Sequence, residues 1–131
     1  MPYLLDADWA INALAGRPQT VQTLQKLAPE GIAISLVTVG EIYEGAFGFP
    51  DSQMHIMRFR QWLAPFRLLT LEDAIMLRFA EIRSSLRKSG QLIPDFDLLL
   101  ASTALHHNLT VLTFNYKHLQ RIPSIQIYRP G

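Results

Sequence analysis

The chain has 131 residues, 49% hydrophobic and 18% charged, which suits one globular domain spanning 1–131 and argues against disorder. It contains no cysteine, so disulfide frameworks and thiolate metal sites are excluded. A formal net charge of +1 means that nucleic-acid binding would rest on a local patch and not on the field of the whole protein.

In chain order, Tyr3-Leu4-Leu5 is a short apolar run ending at Asp6 and predicts a buried strand. Ala7 to Ala15 has helical spacing and stops at Gly16. A second helix begins near Pro18, a residue suited to the first helical position, and carries Val21, Leu24 and Leu27 on one face before Gly31. Residues 32–37 are β-branched and almost continuously apolar, as buried parallel strands are. Thr38-Val39-Gly40-Glu41 then has the form of a capping box opening a helix. Asp51 or Ser52 starts a further helix bearing Met54, Ile56, Met57, Phe59, Trp62 and Leu63. Phe66 to Leu69 reads as a third strand, and residues 70–73 cap a long helix with the stripe Ile75, Phe79, Ile82, Leu86. The next helix, entered at Asp95 and Asp97, is apolar almost all round through Leu98, Leu99, Leu100, Ala101, Ala104 and Leu105, and stops at Asn108. Residues 109–113 form a fourth strand and residues 125–128 an alternating edge strand.

Strands alternating with helices at this spacing predict an α/β fold with a mostly parallel sheet of about five strands. Ligands of such sheets bind beyond the carboxyl ends of the strands, where strand order reverses. Asp6 ends the first strand, Glu41 falls in the turn after the second, Asn115 follows the fourth, and Asp97 opens the helix leading into it. A lone acid at a helix start only complements the dipole; four polar groups on one sheet edge ask for chemistry. Carboxylates gathered in a partly buried cleft repel one another unless protonated or neutralised by a cation. No lysine or arginine adjoins these acids in sequence, so a hard divalent ion, Mg²⁺ or Mn²⁺, is the simplest partner. Phosphodiester hydrolysis is the reaction that such a site suits.

Four segments carry a family resemblance: Leu4-Leu5-Asp6-Ala7-Asp8, Ser35 to Glu41, Asp97 to Ala101, and Leu112-Thr113-Phe114-Asn115. Their order and spacing resemble the motifs of PIN-domain proteins, and with the chain length are most similar to VapC-type toxins of toxin–antitoxin systems. The resemblance implies an α/β/α sandwich that binds Mg²⁺ or Mn²⁺ and cuts RNA endonucleolytically, neutralised by a cognate VapB-like antitoxin. On that pattern Asp6, Glu41 and Asp97 are the metal-binding catalytic acids, and Asn115 stands where many PIN domains have a fourth acid. The chain departs from the common Leu-Leu-Asp-Thr-Asn opening at Ala7 and Asp8, losing a threonine hydroxyl and gaining a carboxylate.

Plainer readings stand beside these. The Thr38 capping box would by itself explain Glu41, and Asp95 reads as a helix-opening or N-cap residue. Arg83, Arg87 and Lys88 read as a solvated helix face. His106 and His107 complement a helix C-terminus, while His55 and His118 lack ligand spacing. The Met54–Trp62 stretch is expected to supply homodimer contacts or to grip an antitoxin. Acids inside the first apolar run and the lack of any ~20-residue apolar stretch point to a cytoplasmic protein without a membrane span. The rival readings are a non-catalytic RNA-binding or assembly module, favoured by Asn115 and the missing threonine, and a PIN nuclease for RNA processing outside a toxin–antitoxin system.

Overall fold

Short apolar strands flanked by helices can bury both faces only between two helical layers, and the computed structural model, which describes residues 2–130, has that form. The strands are β1 (Tyr3–Leu5), β2 (Ile32–Ser35), β3 (Arg67–Leu69), β4 (Thr110–Leu112) and β5 (Gln126–Ile127). They form one sheet in the order β3-β2-β1-β4-β5 with every pair parallel. The helices are α1 (Ala7–Leu14), α2 (Pro18–Leu27), α3 (Leu36–Ala46), α4 (Ser52–Leu63), α5 (Asp73–Lys88), α6 (Asp95–His107) and α7 (Tyr116–Leu119).

Register sorts the strand side chains between the two layers. Leu4 lies beside Ala33 and Val111, and Leu5 beside Ile34 and Leu112. Successive side chains of a strand point to opposite faces. Leu4, Ala33 and Val111 therefore pack with Leu86 of α5 and Leu98, Ala101 and Ala104 of α6. Leu5, Ile34 and Leu112 pack with Trp9, Leu24, Val39 and Phe59 from α1 to α4. The expected α/β/α sandwich and five-stranded parallel sheet are present. Among the described residues no helix is long and apolar enough to cross a membrane.

Helix α6 runs through the core. Its buried hydroxyls are satisfied within the helix: Ser102 Oγ donates to the Leu98 carbonyl (2.7 Å) and Thr103 Oγ1 to that of Leu99 (2.8 Å). It ends where expected. Asn108 takes the left-handed conformation (φ 56°), Leu109 N donates to the Ala104 carbonyl and Asn108 N to that of Leu105, the paired bonds of a Schellman cap.

The boundary between β2 and α3 differs from the sequence expectation. β2 stops at Ser35, and Ser35 Oγ accepts from Val37 N (3.1 Å) as the N-cap of α3. The Thr38–Glu41 capping box does not form; Thr38 is buried and Glu41 sits in the second turn of α3. Leu36 and Val37 continue the apolar run of the strand, so hydrophobicity does not mark the change. Asp95 takes the helix-opening place of its two expected readings, as the first residue of α6 after the N-cap Pro94, and it pairs with Arg83 of α5 (2.8 Å). On α4, Ile56 and Phe59 are buried, while Met54 and Met57 remain exposed.

Because αL costs an ordinary L-residue about 1–2 kcal/mol, Asn108→Val is expected to destabilise the protein by about that much in chemical denaturation. Asn108→Gly should be neutral or stabilising. Equal losses for both would show that the cap conformation does not carry the effect.

Candidate active site

The direction of strand addition reverses between β1 and β4, with β2 and β3 on one side and β5 on the other. A crevice forms at such a point beyond the carboxyl ends of the strands. Asp6 follows Leu5 directly and its backbone N donates to the Leu112 carbonyl (3.0 Å), which joins the ends of β1 and β4. The Asp6 carboxylate caps α1, accepting from Ala7 N (2.7 Å), and its second oxygen accepts from the buried Thr113 hydroxyl (2.8 Å).

Thr113 is the hub of this edge. Its Oγ1 also stands 3.2 Å from Asp8 Oδ2 and accepts from Asn115 N (2.9 Å). The single hydroxyl proton serves one carboxylate at a time, and the shorter contact favours Asp6. Asp8 is held by Phe114 N (2.9 Å), while its Oδ1 is buried without a hydrogen-bond partner. Thr113, on β4's continuation, thus holds Asp6, and Asp8 joins the acids.

Asp97, in the first turn of α6, is reached from α7. Asn115 Nδ2 donates to Asp97 Oδ2 (2.9 Å), and His118 Nδ1 lies 2.9 Å from the same oxygen. A carboxylate oxygen only accepts, so this contact assigns the proton to Nδ1. The 3.2 Å approach of Asn115 Nδ2 to that nitrogen is then proximity and not a second bond.

Electrostatics brings Glu41 into the same group. Burial first, then Asp6, Asp97 and Asp8, pushes its pKa up to about 7. Burial first, then Asp8, pushes Asp6 up to about 6 against the lowering by Thr113 and Ala7 N. Burial also raises Asp8, against the bond from Phe114 N. Among the described residues, His118 is the only basic side chain in ion-pair contact with these acids. Asp6, Asp97 and Asn115, chosen from the sequence, are therefore linked at one edge through Thr113, with Asp8 beside them, while Glu41, in the second turn of α3, is joined to them by charge alone. His118, set aside in the sequence for want of ligand spacing, touches Asp97. The signal was present as the i, i+3 spacing of Asn115 and His118 on one face of a short helix, but α7 itself was not expected.

A parallel α/β sandwich with acids crowded at its switch point defines the class. The chain belongs to the PIN domain family, which matches residues 3–124. It is 29% identical over 128 residues to Ribonuclease VapC1 of Haemophilus influenzae, covering 96% of each chain. Its fold is similar to VapBC2 from Rickettsia felis bound to a promoter DNA fragment, with TM-score 0.92, 25% identity and full coverage of both chains. It is also similar to VapBC-1 from nontypeable Haemophilus influenzae, with TM-score 0.87, 28% identity, and 98% and 97% of the two chains covered.

Raised carboxylate pKa values fix the sign of one pH effect. The folded protein keeps protons on Asp6 and Glu41 that the unfolded chain has already lost, so these groups favour folding most below the ordinary carboxylate range. That advantage is lost as pH rises through about 6 to 7. Metal-free Glu41→Gln should therefore melt above the wild type at pH 8 and close to it near pH 5, followed by circular dichroism. A lower melting temperature for the variant at pH 8 would contradict the crowding of charge.

Proposed function

We propose that this chain is the ribonuclease toxin of a toxin–antitoxin pair, a single cytoplasmic domain that hydrolyses RNA phosphodiester bonds at its carboxylate cluster. The observation that carries this reading is the hydrogen-bonded chain that links Asp6 through Thr113 and Asn115 to Asp97 at one sheet edge, where burial and the neighbouring carboxylates raise Asp6 to about 6 and Glu41 to about 7.

The donor set fits a hard divalent ion. It is all oxygen, it concentrates negative charge, and Asp8 Oδ1 is buried and unpartnered. The motif acids are not drawn into one tight trio: among the described residues, the group whose ligand atoms lie within 4.8 Å of one another is Glu72, His106 and His107. An open arrangement suits Mg²⁺, which keeps several waters and takes few carboxylates, with Mn²⁺ as a substitute. Asp6, Glu41 and Asp97 would hold the ion, which supplies a Lewis acid and an activated water.

The remaining residues prepare that site. Thr113 fixes Asp6, Phe114 N fixes Asp8, and Asn115 and His118 fix the outer oxygen of Asp97. Asn115 is an amide in place of a fourth acid, and it orients a carboxylate without adding charge. The Phe114 ring is half exposed next to these groups and leans on Trp9 (centroids 5.5 Å apart), a placement suited to stacking an RNA base.

Antitoxin binding falls to an apolar groove between α1, α3 and α4. A cavity of about 260 Å³ between α1, α3 and α4 is lined by Ile11, Leu14, Ile42, Tyr43, Phe49 and Phe59. Phe47, Phe49, Met54 and Met57 are exposed in the same region. Such a surface suits the apolar face of a partner helix.

Purified protein is expected to cut cellular RNA with Mg²⁺ or Mn²⁺ and to stop with chelator, and Asp97→Asn should be inactive though folded. His118→Ala should slow cleavage about tenfold, the size of one hydrogen bond to a charged group, ~1.4 kcal/mol. Full activity of folded Asp97→Asn would remove the catalytic assignment. For the groove, Phe49→Asp with Met57→Asp should abolish inhibition by the cognate antitoxin while leaving cleavage by the free protein intact. Retained inhibition would place the antitoxin elsewhere.

A further inference from the structure

A second group of ligand-type side chains lies away from the acids. Helices α5 and α6 pack antiparallel: Arg83, late in α5, meets Asp95 at the start of α6, and Glu72, just before α5, meets the last turn of α6. His106 and His107 are consecutive on that turn and point about 100° apart, so a group from a neighbouring element must stand between them to meet both. Glu72 does so. Its Oε2 is 3.6 Å from His106 Nε2 and 3.8 Å from His107 Nε2. All three ligand atoms lie within 4.8 Å of one another.

These separations are too long for hydrogen bonds. They are close to the ~3.4 Å edge of a tetrahedron whose metal–ligand bonds are about 2.0–2.1 Å. His107 Nε2 is buried and has no hydrogen-bond partner. Two imidazoles and a carboxylate make the three-ligand set that leaves a fourth zinc position to water. The site also sits at the C-terminus of α6, the negative end of the helix dipole. Both histidine side chains remain about one-quarter exposed (27% and 25%), which gives an ion and its water access.

We propose that Glu72, His106 and His107 form a binding site for a borderline transition-metal ion of the Zn²⁺ type, clamping the start of α5 to the end of α6. It is separate from the acid cluster: His106 is nine residues along α6 from Asp97, about 14 Å of helix. The donor types separate the two as well, because nitrogen-rich sets prefer zinc-like ions and all-oxygen sets prefer Mg²⁺.

The test is titration of the metal-free protein with Co²⁺, whose tetrahedral complexes absorb strongly in the visible and whose octahedral ones do so weakly, followed by displacement with Zn²⁺. Wild type and Asp97→Asn should each take one ion with the tetrahedral spectrum, bleached by Zn²⁺. Glu72→Gln and His106→Gln should lose the band or bind at least ~10-fold more weakly, while Mg²⁺-dependent RNA cleavage and the circular dichroism spectrum stay as in the wild type. Absence of the band in wild type would overturn the proposal, as would its persistence in both Glu72→Gln and His106→Gln, or its loss in Asp97→Asn.

Discussion

Negative charge held at the end of a hydrophobic sheet is the constraint on which this structure turns. Asp6 is nearly buried, and its pKa of about 6 against an ordinary 3.8 corresponds to roughly 3 kcal/mol of unfavourable surroundings for the ionised form. Among the described residues no basic side chain pairs with it. What holds the carboxylate in place is neutral: one hydroxyl, one helix-terminal N–H and the positive end of α1. The protein therefore fixes the geometry of the acids without cancelling their charge. A site arranged in this way keeps its attraction for a cation, and it does so by giving up stability in the absence of one.

Helix α6 shows how that arrangement is supported. Its N-terminus carries Asp97 and its C-terminus the two histidines, each at the end where the dipole favours it. Between them, four apolar side chains (Leu98, Leu100, Ala101, Ala104) join the core cluster shared with α5 and the sheet, and two buried hydroxyls are bonded within the helix. The position of Asp97 is thus set by burial along the whole helix and by the Schellman cap that ends it. Asn115 and His118 then fix only the carboxylate's rotation. Division of labour of this kind explains why a four-residue helix, α7, suffices for the second part.

The edge on which Asp6 and Asp97 meet was legible because it follows from two strong signals: buried parallel strands and the rule that places ligands beyond their carboxyl ends. Glu41, expected in the turn after the second strand, instead lies in the second turn of α3. An apolar run crossing from β2 into α3 conceals the boundary, and a Ser35 cap is weaker in sequence than the Thr38–Glu41 pattern that it displaces. The capping-box reading competed with a functional Glu41, and its absence in the structure leaves that carboxylate free. His118 was missed because its partner lies 21 residues away and the helix that presents it is too short to carry periodicity. The Glu72–His106–His107 group was hidden for a related reason, since only the antiparallel packing of α5 on α6 brings residue 72 to residues 106 and 107.

Thr113 joins these strands of argument. The chain lacks a hydroxyl at position 7, and a reading confined to the Asp6 motif counts that as a loss. In the folded protein a hydroxyl is supplied across the β1–β4 pair, from a residue 107 positions away, and the same oxygen accepts from Asn115 N. One fully buried atom therefore couples the first acid to the loop that carries Asn115 and His118. Substituting Thr113 by valine would keep its shape and remove that coupling, leaving Asp6 with only its capping bond and Asn115 N without an acceptor, two unsatisfied groups in a buried place. The contact to Asp6 is therefore carried by Thr113, on the segment after β4, and does not depend on a hydroxyl at position 7, the first residue of α1.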